Sequence, residues 1–192
     1  MTDYLRRWWD EEIEGKTVPP KIDHISDMLG FVIEKMQSKL RQQAKQQHTN
    51  MGTTLSLIFI VGESYIIKQV GDSRIYLLSG KHCCQITKDQ TWCQQEVDAG
   101  RMDAAQALVH EKRHVLTNAL GVGEGFFVQG ISGQLYKRQR VLLCSDGYYT
   151  YLQPEELYRH FGRSLKRSLE CSGERIKRGR AEDNYTAILI EL

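Results

Sequence analysis

Arg140-Val141-Leu142-Leu143-Cys144-Ser145-Asp146-Gly147-Tyr148 is the stretch whose reading decides the rest of the chain. Val141 to Cys144 make an apolar run of strand length bounded by turn residues, which predicts a core strand buried on both faces. The run stops at a carboxylate followed by glycine. Asp146 is therefore expected at the end of a core strand, held rigidly, while Gly147 lets the backbone turn tightly or approach a ligand closely. An acidic group so placed suits a metal ion. Ser-Asp-Gly after an apolar run is also ordinary turn chemistry, and this stretch alone leaves both readings open.

Working outward, Asp183-Asn184 stands immediately before the last apolar run, Tyr185 to Ile190, much as Asp146 stands after the central one. If the two strands are antiparallel neighbours, the end of one lies beside the start of the other and both carboxylates meet at one sheet edge. Hard oxygen ligands of this kind suit Mg²⁺ or Mn²⁺ rather than Zn²⁺. Asp-Asn is equally an ordinary turn before a strand.

Upstream, Tyr4, Leu5, Trp8, Trp9 and Ile13 recur at helical spacing, with Asp10-Glu11-Glu12 on the solvated face and Gly15 as the stop. After the break at Val18-Pro19-Pro20, the apolar positions Ile25, Leu29, Val32, Met36 and Leu40 predict a longer helix with a polar tail to Gln47. From Gly52 the period changes. Thr53 to Val61, Ser64 to Val70, Arg74 to Leu78 and His82 to Thr87 read as successive strands with short connections, expected as an antiparallel meander. Helices are predicted over Gln90–Ala99 and Asp103–Val109. Strands follow over Phe126–Ile131 and Arg140–Ser145, then a helix starting near Pro154 and a basic helix over Ser164–Lys177. The class is α+β with largely antiparallel sheets. Residues 1–192 are expected to form a single domain, a helical pair over 1–48 followed by sheets, flap and C-terminal helices over 52–192.

Composition narrows the function. With 41% apolar and 26% charged residues the chain reads as a soluble globular protein, and 26 Lys plus Arg against 24 Asp plus Glu argue against nucleic acid or an anionic membrane as partner. No apolar run reaches membrane-spanning length and the N-terminus lacks the apolar segment of a signal peptide. Five cysteines at irregular spacing do not make a disulfide framework, which points to the cytoplasm. The six histidines show no ligand pairing, and His82-Cys83-Cys84 with Cys93 does not make a zinc site. Gly71-Asp72-Ser73 as a serine nucleophile finds no suitable base, since His160 has no aspartate close by in sequence. Lys166, Arg167, Arg175, Lys177, Arg178 and Arg180 read as a solvated helix face, and Trp92 is expected to pack on the sheet.

Six segments in order carry a family resemblance: Gly52-Thr53-Thr54, Val70-Gly71-Asp72-Ser73-Arg74, Ile86-Thr87-Lys88-Asp89-Gln90, Leu116-Thr117-Asn118-Ala119-Leu120-Gly121, Leu143-Cys144-Ser145-Asp146-Gly147 and Asp183-Asn184-Tyr185-Thr186. The chain resembles the metal-dependent protein phosphatases, the type 2C serine/threonine phosphatases, in their bacterial form. The resemblance implies a sandwich of two antiparallel β-sheets flanked by helix pairs, and two or three Mn²⁺ or Mg²⁺ ions that activate a water to attack phosphorus. It implies Asp146 and Asp183 as metal ligands and Asp89 as an aspartate of an additional metal site. Gly147, Asn184, Ser73, Gly52 and Thr53 would be supporting residues, and Asp72 would support a turn rather than touch metal. The implied partners are phosphoserine and phosphothreonine proteins, with a cognate serine/threonine kinase or its substrates among them.

The departures from the family pattern are as specific as the matches. No arginine, Glu-Asp or Asp-Gly-x-Gly-Gly motif of the family precedes the first helix, so the bridging carboxylate and the N-terminal strands are expected to be missing. Thr150 stands where the family often has a further aspartate. Two expectations follow: an N-terminally shortened metal-dependent phosphatase, or a catalytically inactive phosphatase-like domain that binds a phosphoprotein. The segment from Trp92 to His114, at the family's variable flap, shows no chemistry of its own in sequence.

Overall fold

The structure is a computed structural model that describes residues 2–16, 20–123, 125–152, 156, 164–179 and 183–191. The break at Val18-Pro19, the helix expected near Pro154, His160 and Arg180 lie outside the described residues. The chain divides into two compact units, Met1–Gly71 with Thr117–Gly133, and Asp72–Leu116 with Gln134–Leu192.

The first unit opens with α1 (Thr2–Glu12) and α2 (Ile22–Gln46), followed by β1 (Leu55–Val61) and β2 (Ser64–Val70). Ile25, Leu29, Val32, Ile33 and Met36 fall three or four residues apart on α2 and all are buried, together with Trp8, Ile66, Val70 and Leu120. Each such side chain contributes roughly 1.5–3 kcal/mol by leaving water, which is what holds a polar-tailed helix on a sheet. Trp8 meets Phe59 edge-on at 5.7 Å. Gly62-Glu63 closes the β1–β2 hairpin, with Val61 opposite Ser64 and Gly62 at φ +57°. β5 (Gln129–Gln134) completes a sheet of order β1-β2-β5.

The second unit holds β3 (Arg74–Ser79), β4 (His82–Gln85), β6 (Arg140–Cys144) and β7 (Ala187–Glu191) in the order β4-β3-β6-β7, antiparallel throughout. Its helices are α3 (Trp92–Asp98), α4 (Ala104–Val109), the single-turn α5 (Asp146–Tyr149) and α6 (Leu165–Arg178). Thr91 caps α3 through Gln94 N, and Asp103 with Gln106 forms a reciprocal capping box on α4, the chemistry that starts two short helices at these points. As the apolar run predicted, β6 is central in its sheet and Val141 to Cys144 are all buried. Tyr76, Leu142, Tyr148, Leu152 and Ile176 form the core beneath it. The Tyr148 hydroxyl donates to Ser172 Oγ at 2.6 Å, fastening α5 to α6.

Two antiparallel sheets with helices confirm the α+β class, but the expected meander is corrected. β1 and β2 belong to one sheet and β3 and β4 to the other. The chain changes sheet at Gly71, whose φ of +95° a side-chain-bearing residue rarely adopts and where a Cβ would collide with Thr54. Short connections and alternation are common to both arrangements, so the sequence pattern did not separate them. The expected strand at Phe126–Ile131 is shifted, since β5 begins only at Gln129. Trp92 finds its ring partners in the flap: His110 at 5.1 Å and Lys112 Nζ 4.8 Å above the indole.

Candidate metal centre

β6 and β7 are antiparallel neighbours with Cys144 opposite Ala187. Pairing continues one step further, Ser145 N donating to Thr186 O at 3.1 Å and Thr186 N to Ser145 Oγ at 3.0 Å. This register carries Asp146 past the end of β6 and Asp183 ahead of β7, at the same edge of the sheet. Gly147 allows the approach: a Cβ there would collide with the Asn184 carbonyl oxygen and stand 3.5 Å from Asp183 Cβ. The first turn of α5 then orients Asp146, whose Oδ1 accepts the Gly147 N–H at 2.8 Å. Asp183 Oδ1 accepts the Asn184 N–H at 2.7 Å. Both carboxylates are thus anchored by one oxygen to their own backbone.

Behind this edge lies a charged cluster. Arg74 at the start of β3 grips Asp89 with Nε at 3.0 Å from each carboxylate oxygen and Nη2 2.6 Å from Oδ2. Gln85 Nε2 adds a bond to Asp89 Oδ1 at 2.9 Å. The guanidinium also donates to Tyr76 Oη at 3.0 Å and lies 3.7 Å over the Tyr149 ring. Burial, the largest single influence, works against the arginine's charge, but the bond to Asp89 and the interactions with Tyr76, Asp89 and Tyr149 together outweigh it and raise its pKa further. Tyr149 in turn donates its hydroxyl to the backbone carbonyl of Asp72 at 3.1 Å, which fixes α5 against the start of β3. Asp72 is buried, and burial first, then the negative charges of Asp146 and Asp89, push its carboxyl up to about 6. The matching Thr87 hydroxyl accepts from Ile75 N at 3.0 Å, so the Asp72-Ser73-Arg74 and Thr87-Lys88-Asp89 segments are held side by side.

Asp146, Asp183, Asp72 and Asp89 all belong to the second unit. Gly52 and Thr53 belong to the first, where Thr53 exchanges both backbone hydrogen bonds with Leu120 and a Cβ on Gly52 would collide with Val122. Their part there is to join the Gly52-Thr53-Thr54 segment to the Leu116–Gly121 segment. Gln37 Oε1 accepts from Gly121 N and ties that loop to α2.

Sequence reasoning missed three participants. Tyr149 and Gln85 carry no motif, and their roles depend on β3, β4 and α5 converging. His114, from the loop after α4, places Nδ1 4.0 Å from Asp146 Oδ2. No spacing rule links positions so far apart in the chain.

The donor chemistry is right for a hard cation, but the set is short. Among the described residues no group of three or more His, Cys, Asp or Glu gathers closely enough to hold a metal ion. Asp146 and Asp183 are carboxylates at one edge, and Asp89 is committed to Arg74. Two carboxylates do not clamp a pair of ions. The described residues bring two carboxylates to one sheet edge and do not close a cage around an ion.

The comparisons agree with the motif order. A family model described as Protein phosphatase 2C matches residues 1–182, and the chain belongs to that family. The serine/threonine phosphatase stp of Listeria welshimeri is 29% identical over 155 residues, covering 79% of this chain and 61% of that protein. The chain thus spans less than two thirds of the length of that relative. The crystal structure of the Mycobacterium tuberculosis serine/threonine phosphatase PstP/Ppp superposes with a TM-score of 0.86 at 28% identity, over 99% of this chain and 78% of that one. The catalytic domain of PstP in complex with two manganese ions gives a TM-score of 0.78 at 26% identity, over 99% and 79%.

Proposed function

We propose that this chain serves as a metal-dependent serine/threonine phosphoprotein phosphatase that hydrolyses phosphomonoesters. The observation that carries the reading is the β6/β7 register, which brings Asp146 and Asp183 to one sheet edge in a chain of this family. These two would hold Mn²⁺ or Mg²⁺, with the rest of the coordination shell supplied by other groups. When bound, the metal supplies a nucleophilic water and neutralises phosphoryl charge. The chain's own part is positional: Gly147 admits the close approach of the two strands, Tyr149 pins α5, and the Arg74–Asp89 pair stiffens the ground behind it. Asp89 is proposed as the aspartate of an additional metal site only in a state where Arg74 releases it.

The substrates would be phosphoserine and phosphothreonine proteins, products or partners of a serine/threonine kinase. Five free cysteines fit a cytoplasmic setting. Among the described residues no helix is long and apolar enough to cross a membrane.

The test is hydrolysis of an aryl phosphate and a phosphothreonine peptide with Mn²⁺ titrated. Metal-dependent turnover lost by at least about a hundredfold in both Asp146→Asn and Asp183→Asn is expected, as for removal of a group that acts on transition-state charge. Turnover indifferent to either substitution, or no turnover from folded protein at saturating Mn²⁺, refutes it.

A further inference from the structure

On α6, Ile176 shares a core cluster with Leu142, Leu152 and Leu189, yet the helix also buries two serines completely, Ser168 and Ser172. A hydroxyl beneath a helix costs stability unless it is bonded. Ser172 Oγ accepts from the Tyr148 hydroxyl at 2.6 Å and is directed back at the carbonyls of Ser168 at 3.1 Å and Leu169 at 3.0 Å, to which it donates. Apolar contact has no direction and would let α6 slide over the sheet. A hydroxyl pair bonds in one register only.

Tyr148 stands two residues past Asp146, and Tyr185 stands two residues past Asp183. Tyr185 comes to the same turn of α6, where a Cβ on Gly173 would stand 3.5 Å from its hydroxyl oxygen. The two rings lie near each other, with centroids 6.4 Å apart. Adjacent residues of one helix, Ser172 and Gly173, thus receive the aromatic side chains that follow each of the two carboxylates. Because Asp146 and Asp183 each have Oδ1 bonded to the next backbone N–H, their placement is set by the segments that carry them. A hard cation such as Mg²⁺ holds its oxygens at about 2.0–2.1 Å and demands near-ideal geometry. The one-turn α5 has a second tether in Tyr149, which reaches Asp72 O on β3's side and leaves the Asp183 segment untouched. We propose that α6 is a clamp that fixes the spacing of Asp146 and Asp183, with Tyr148, Ser172 and Tyr185 as positioning residues that touch neither metal nor substrate. The link to the metal rests on the reading of the two aspartates as its ligands, while the clamp itself rests on contacts within the second unit.

The test follows Mn²⁺ binding by electron paramagnetic resonance and, on metal-free protein, amide hydrogen exchange by nuclear magnetic resonance. Tyr148→Phe and Ser172→Ala remove the shared bond with little change of shape, and Tyr185→Leu removes the second grip. Each is expected to raise the Mn²⁺ dissociation constant about tenfold, the low end for residues that orient metal ligands. Each should also speed exchange at the Ser145, Tyr148 and Thr186 amides about fivefold, as one lost hydrogen bond does for local opening. Tyr148→Phe combined with Ser172→Ala should match the worse single variant, since both remove one bond. Leu78→Val, a core truncation opposite Arg140 at the far end of β6, should leave affinity and exchange within about twofold of wild type and so separates placement from general loss of stability. Affinity and exchange within about twofold of wild type in either Tyr148→Phe or Tyr185→Leu, additive effects in the double variant, or an equal loss in Leu78→Val overturns the clamp. Wild-type protein that binds no Mn²⁺, or binds it equally well after Asp146→Asn, overturns the metal reading, and the exchange result alone then judges the clamp.

Discussion

Asp89 tests whether the cluster behind the carboxylate edge holds the fold or serves only a cation. In the structure its carboxylate accepts from Arg74 at 2.6 and 3.0 Å and from Gln85 at 2.9 Å, and the two charged side chains are only 11% and 19% exposed. Replacing Asp89 by Ala strands a mostly buried guanidinium, and breaking a buried pair in this way costs about 3–5 kcal/mol. Arg74 keeps its bond to Tyr76 and its stack on Tyr149, which places the expected loss near the lower end, about 3 kcal/mol. Arg74→Met should cost a similar amount by leaving the carboxylate unpaired. The double variant, Arg74→Met with Asp89→Leu, should be less destabilised than the sum of the singles, with a coupling of about 2 kcal/mol. The assay is urea unfolding in the presence of a chelator, so that no metal contributes, followed by tryptophan fluorescence and circular dichroism. A loss below about 0.5 kcal/mol in Asp89→Ala, the size of an ordinary surface change, or strict additivity in the cycle refutes the reasoning. An aspartate that serves a metal alone would give that result.

Two further outcomes follow from the same edge. Asp72 keeps its proton longer in the folded state than the ordinary value of 3.8 allows, up to about 6. The unfolded chain therefore releases that proton first, so the contribution to stability is present at low pH and is lost as pH rises from about 4 to about 6. The swing is at most about 3 kcal/mol, and Asp72→Asn should flatten chelator-treated stability across that window while raising it at neutral pH; an unchanged slope in the variant counts against the assignment. Gly147→Ala drives a Cβ into the Asn184 carbonyl oxygen and pushes the Asp183-Asn184 segment away from α5. Overpacking of this kind costs about 1–3 kcal/mol, and Mn²⁺ titration by electron paramagnetic resonance should show weaker binding, whereas unaltered stability and affinity would show that the close approach is not needed.

Much of this was legible in the chain alone. An apolar run ending in Ser145-Asp146-Gly147 places a rigid carboxylate because strand length and turn chemistry are local properties, and the same holds for Asp183-Asn184 before β7. The α2 core face, the two hairpins and the presence of two short helices after Asp89 also follow from spacing and residue type, while their caps at Thr91 and Asp103 are seen only in the structure. Tertiary structure decided the rest. Alternation cannot say whether β2 and β3 are neighbours, and only the left-handed turn at Gly71 and the long-range pairing of β3 with β6 divide the strands between sheets. Nothing near Asp89 in sequence announces Arg74, fifteen residues earlier, as its partner. Tyr149 and His114 gain their roles because packing sets them beside Asp72 and Asp146. Local sequence determines which groups are charged, rigid or turning; which of them meet depends on the whole chain closing on itself, a property no window of residues contains.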